Sequence, residues 1–179
     1  MTRGLRWSYI GQPKKERKKA TIRSSTAPAN QKIDRIKEVI RTLSEAVPTG
    51  EVISGQRVEI FWPGAQLLTL NELLRIDHRK LTSYRHACHS VVREATWQLA
   101  KRTYGLKFEG QVKVTLHRLA PKLIDPDGLH ASFKFMIDGF RLAGVLSDDD
   151  PLSIVDISHT QAIGKQCIGI SISHLSEHK

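Results

Sequence analysis

Cysteine, paired metal-ligand motifs, long apolar runs and acidic residues are all scarce in this chain, and each scarcity excludes something. There are two cysteines in 179 residues, Cys88 and Cys167, far apart and in no CxxC pair. That excludes a disulfide-stapled scaffold and leaves buried free thiols in a reducing compartment as the expectation. No apolar run is long enough to span a bilayer. The first residues, MTRGLRWSYIGQPKKERKK, lack the apolar centre of a secretory signal, so an intracellular location without membrane association is expected. No Walker A loop, GxGxxG turn or GxSxG elbow occurs. His86 and His89 flank Cys88 on one helical stretch, but no second ligand pair at zinc-finger spacing follows. Acid is the minority charge: 18 Asp+Glu face 28 Lys+Arg, a formal net charge of +10. That excess favours a polyanionic partner, nucleic acid before all.

Against that basic background, six aspartates crowd into DPDGLHASFKFMIDGFRLAGVLSDDD, residues 125–150: Asp125, Asp127, Asp138, Asp148, Asp149 and Asp150. Carboxylates held together raise one another's pKa and call for a compensating cation. A divalent metal with oxygen ligands is the usual one, and Mg²⁺ is the expected cofactor. A basic protein with an acidic metal pocket points to phosphodiester chemistry.

Along the chain, residues 1–30 read as a basic, then Ser/Thr/Pro/Ala-rich tail with little to bury, an electrostatic arm or a solvated segment. Trp7 and Tyr9 in it have no assigned role. Residues 31–55 read as an amphipathic helix over 31–47 and a linker. Ile33, Ile36, Val39, Ile40, Leu43 and Val47 recur at helical steps, and Pro48 and Gly50 end the helix. The main domain spans 56–179. RVEIFWPG alternates as a strand with Val58, Ile60 and Trp62 on one face. A long helix follows over about 80–102, with Leu81, Tyr84, Cys88, Val91, Ala95 and Leu99 as its apolar stripe. Val112, Val114 and Leu116 mark a second strand, and a helix runs over about 128–143. SIVDIS and QCIGISIS give two more strands. The order implies an α+β or mixed α/β fold: a small sheet of three to four strands packed against two main helices, with a basic, helical N-terminal extension.

On the later helix, at roughly 100° per residue, Leu129, Phe133, Met136, Ile137 and Phe140 share an apolar sector. Asp127, Lys134, Asp138 and Arg141 fall opposite. Asp127 is placed to cap the helix start, and Lys134 and Asp138, four apart, to pair. The helix separates the Asp125/Asp127 end from the triple aspartate by roughly 20 Å, so the chain after Gly144 must fold back along it if the two acidic ends are to meet.

The sequence Asp125-Pro-Asp127, then Lys134, then Asp138, then Gly144-Val145-Leu146-Ser147-Asp148-Asp149 resembles the RusA family of Holliday junction endodeoxyribonucleases, common in phages and prophages. Trp62-Pro63-Gly64, Asn71 and a basic segment precede it in matching order, and the resemblance spans about residues 57–174. It implies a homodimer that cuts four-way DNA junctions by paired, symmetric nicks. By position, Asp125, Asp127, Asp148 and Asp149 match the family's metal-binding carboxylates, and Lys134 its functional lysine. Three departures stand out. The gap from Asp127 to Lys134 is about three residues longer than in the family's best-known member, Gly128 replaces an Asn, and Asp150 adds a third aspartate to the pair. Which two of the three bind metal stays open. Asn71, Arg75, Arg79, Lys80 and Arg85 are the candidate DNA contacts, the cations as a basic run entering the long helix. His78 belongs to the same basic run. Two rival readings remain: a non-catalytic nucleic-acid-binding protein with a structural acidic cluster, and a flap or fork nuclease with the same site.

Overall fold

The computed structural model describes residues 29–53, 57–103 and 106–175. Of the tail expected over residues 1–30, residues 1–28, with Trp7 and Tyr9, lie outside them, while Ala29 and Asn30 belong to the first helix. Helix α1 (Ala29–Glu45) leads into strand β1 (Thr49–Ile53), followed by β2 (Arg57–Pro63), a single-turn helix α2 (Leu70–Leu73) and the long α3 (His78–Thr103). Then come β3 (Val112–Ala120), α4 (Pro126–Leu142), β4 (Ile154–Ile163) and β5 (Cys167–His174). The sheet is open and mixed, in the order β1-β2-β5-β3-β4. All neighbours are antiparallel except β3 and β4, which run parallel because α4 carries the chain back between them.

The alternating strands divide the sheet into two faces. Val58, Ile60 and Trp62 of β2, Val112, Val114 and Leu116 of β3, and Ile168, Ile170 and Ile172 of β5 are buried. They join Tyr84, Cys88, Val92, Ala95 and Leu99 of α3 and Leu129, Phe133, Met136, Ile137 and Phe140 of α4 in one core. Each large side chain so buried contributes about 1.5–3 kcal/mol. α3 and α4 pack directly on each other. Gly139 allows the close approach, since a Cβ there would stand 3.1 Å from the Val92 Cβ. Cys88 lies in this core, where burial pushes its thiol up to about 12, which suits packing and not zinc ligation. The opposite face is polar: Thr115 bonds Ser158 at 2.9 Å, and His117 bridges Thr160 at 2.8 Å and Ser171 at 2.7 Å.

The sheet has five strands, not three to four. The extra one, β1, was expected as linker. It pairs through Thr49↔Phe61 to Ile53↔Arg57 along the β2 edge, and its residues are exposed or half-buried throughout. α1 likewise joins the main core through Val39 and Leu43, both fully buried. It ends at Glu45, ahead of Pro48, while Gly50 belongs to β1.

Candidate functional site

The site is organised by α4. Asp125, in extended backbone conformation, is its N-cap, and Pro126 opens the first turn. The Asp125 Oδ1 accepts from the Gly128 amide at 2.6 Å, an arrangement typically worth about 1 kcal/mol. The capping role therefore falls to Asp125, not Asp127. Asp127 stands exposed in the first turn, where the helix dipole favours a carboxylate. Among the described residues its oxygens accept no hydrogen bond and form no ion pair.

The chain does fold back after α4. Gly144 takes a left-handed conformation, φ +74°, which a Cβ would strain. The Val145 and Leu146 amides then both donate to the Phe140 carbonyl, at 3.0 and 3.4 Å. Val145 and Leu146 are buried, and the Phe108 amide donates to the Val145 carbonyl at 2.8 Å. This reversal lays Asp148 and Asp149 beside the middle of α4. Asp150 goes elsewhere: its Oδ1 accepts from the Leu152 and Ser153 amides at 3.1 and 2.8 Å, building the turn into β4. The third aspartate is thus a backbone cap, which separates it from its two neighbours.

Lys134 is the hub. Its Nζ lies 2.8 Å from the Asp138 Oδ1 and also donates to the Asp149 carboxylate. The Arg141 Nε stands 3.6 Å from Asp149 and 4.0 Å from Asp148, and the Asp148 Oδ1 accepts from the Asp149 amide at 2.8 Å. The hydrogen bond from Lys134 holds Asp149 at about 2, against a smaller opposing effect of burial. Burial alone would depress Lys134, but Asp138 and Asp149 outweigh it and raise its pKa. Three carboxylates thus share two cations. Lys134 is half exposed, so each pair contributes about 1 kcal/mol or less to stability.

The donor chemistry suits a hard cation such as Mg²⁺, which takes oxygen ligands in near-octahedral geometry. The placement does not. Among the described residues, no group of three or more His, Cys, Asp or Glu is disposed to hold a metal. Asp125 commits one of its oxygens to the helix cap, and the Lys134 ammonium sits between Asp138 and Asp149. Asp127 lies seven residues before Lys134, about 10 Å along the helix axis. Of the five residues read from sequence as catalytic, the fold unites Lys134, Asp149 and Asp148 and leaves Asp125 and Asp127 at the far end of α4.

The basic candidates divide as well. Arg85 reaches α4: its guanidinium stacks on Phe135 at 5.0 Å. One turn on, His89 faces the same junction. Burial lowers its pKa, partly countered by the charge of Asp138, and its Nε2 is buried without a partner among the described residues. Arg79 is exposed at the start of α3, while Lys80 is committed to Asp77 at 2.9 Å. Asn71 and Arg75 line a different feature, a cavity of about 140 Å³ between α1 and α2 with Arg35, Glu72 and Ile76. Asp138, Arg141 and His89 were not singled out as site residues. The four- and seven-residue steps from Lys134 to Asp138 and Arg141 were a usable signal. Nothing in sequence pairs His89 with Asp138.

No protein-family model and no curated protein matches this chain. No helix among the described residues is long and apolar enough to cross a membrane.

Proposed function

We propose that this protein is a RusA-like, structure-selective endodeoxyribonuclease that acts as a homodimer on four-way DNA junctions inside the cell. The observation that carries this reading is the return of the Gly144–Asp149 loop onto α4. It brings an aspartate against a lysine fifteen residues away, on the surface of a chain with net charge +10. Lys134 and Arg141 can hold a phosphate oxygen and stabilise charge as it develops at phosphorus. Asp149, ionised down to about pH 2, is too weak a base to abstract a proton near neutrality, so its work is to position Lys134. Asp127, exposed and unpaired among the described residues, has both oxygens free for the reaction. Mg²⁺ dependence enters the proposal from carboxylate chemistry alone, since the placed side chains form no ligand set.

A second reading has its own support. With Asp125 and Asp150 capping backbone and Asp138 and Asp149 tied to Lys134, the acidic cluster can serve as structure in a non-catalytic DNA-binding protein. Incubating the chain with a synthetic four-way junction, a flap and a plain duplex, each with Mg²⁺ and with a chelator, separates the readings. Paired nicks in the junction alone, only with Mg²⁺, are expected. Preference for the flap moves the assignment to a flap or fork nuclease. Tight junction binding without any nick leaves the non-catalytic reading.

A further inference from the structure

A groove of about 240 Å³ opens at the end of the sheet, between the segment after β2 and the loop that leads from β3 into α4. Its charged lining is all of one sign: Arg35, Arg118 and Lys122. The polar remainder comes from neutral groups such as Gln66, Thr69 and Gln166, and no carboxylate lines it. From these features we infer that the groove seats the phosphodiester backbone of one DNA strand and leads it towards the start of α4. The inference rests on the reading of the protein as DNA-binding and adds a contact surface to it.

Arg118 is the strongest sign. It is half-buried, and among the described residues its guanidinium makes one hydrogen bond, from Nη1 to the Lys122 carbonyl at 2.7 Å. A guanidinium carries five N–H donors, so most of those on Arg118, which lines the groove, have no protein acceptor among the described residues. Burial without an anion lowers its pKa. Partly open to water and without a carboxylate partner among the described residues, the guanidinium is free to take an anion such as a phosphate oxygen. Lys122 is exposed and forms no ion pair among the described residues. Arg35 is held in place, its Nη1 donating to Gln66 at 2.5 Å and its Nε to Glu72 at 3.3 Å.

The groove also points at the site already described. Three residues beyond Lys122 comes Asp125, a reach of about 10 Å at most. The loop between them is pinned, because the Gln161 side chain bonds both the amide and the carbonyl of Ile124, at 3.1 and 2.5 Å. A backbone held by Arg118 and Lys122 would therefore pass Asp127 at the exposed first turn of α4.

The test is fluorescence anisotropy of the full chain with a labelled single-stranded oligonucleotide and a four-way junction, in chelator, across a salt titration. Substituting Arg118→Gln and Lys122→Gln together should weaken oligonucleotide binding about tenfold. It should also flatten the log–log salt slope by about 1.4, or about 0.7 for each phosphate that is no longer neutralised. Lys122→Gln alone removes an exposed charge and leaves the carbonyl that Arg118 uses. It should take about half of that slope and keeps the test valid if the double variant fails to fold. Binding and slope unchanged in Lys122→Gln, and in a folded double variant, would overturn the groove while leaving the nuclease reading intact. A wild-type chain that binds neither oligonucleotide nor junction at low salt overturns both.

Discussion

Two charged regions lie along α4, one ahead of its first turn and one from its middle onward, and they treat their charges in opposite ways. In the acidic cluster every ion has a protein partner: Lys134 answers Asp138 and Asp149, and Arg141 answers Asp148 and Asp149. In the basic groove Arg118 and Lys122 have no carboxylate within ion-pair distance among the described residues, although burial works against the Arg118 charge. Ions paired within the fold hold one another in place, and exposed ions without a protein partner stay open to a ligand or to water. On the proposed reading the groove takes the DNA backbone, while in the cluster Asp138 and Asp149 position Lys134 to stabilise charge at phosphorus. Asp127 stands between them with its carboxylate unspent.

The sharpest way to break that division is Asp127→Asn. Cleavage of a four-way junction should fall to background, while junction binding in chelator stays within about threefold, since the change is isosteric and forfeits at most about 1 kcal/mol of dipole stabilisation. Turnover equal to wild type in Mg²⁺ would remove Asp127 from the chemistry. Next in size is Lys134→Ala, which should slow nicking on the order of 10²-fold, the usual cost of one charge-stabilising donor. It carries a second readout. Because the folded Asp149 pKa lies below its ordinary 3.8, its contribution to stability is present above that value and lost as pH falls towards about 2. In Lys134→Ala the Asp149 carboxyl should titrate near its ordinary range by NMR, and the acid-limb loss should shrink. An Asp149 titration unmoved by the substitution would show that Lys134 is not what positions it.

Much of this arrangement could be read from the chain. The apolar sector of α4, most of that of α3, the inward faces of β2 and β3 and the Lys134–Asp138 pair follow from periodicity, although on α3 the fully buried valine is Val92, not Val91, and Leu81 is only half-buried. β1 escaped because TGEVI, on a sheet edge, buries little and so lacks an apolar alternation. The fates of Asp148, Asp149 and Asp150 escaped because consecutive residues share every spacing. Only the turn geometry sends the third carboxylate to the Leu152 and Ser153 amides. The groove was hidden for a different reason. Arg35, Arg118 and Lys122 come from α1, the end of β3 and the loop after it, and no pattern in one segment announces a meeting of segments so far apart in the chain.

The smallest effect expected is also the cleanest check on how the acidic run divides. If Asp150 is a backbone cap and not part of the reacting cluster, Asp150→Ala leaves two amides at the entry to β4 without their acceptor. That should cost about 1 kcal/mol for each bond removed from a partly exposed turn, visible as a lower denaturation midpoint at unchanged slope. Nicking by the folded fraction should stay within a fewfold of wild type, because Asp149 is anchored independently by Lys134 and Arg141. Asp150→Asn should recover much of the loss, since both amides donate to the one Oδ1 and an amide oxygen in its place can still accept them. Cleavage abolished as completely as in Asp127→Asn, with stability untouched, would place Asp150 among the reacting carboxylates and redraw the line between cluster and cap.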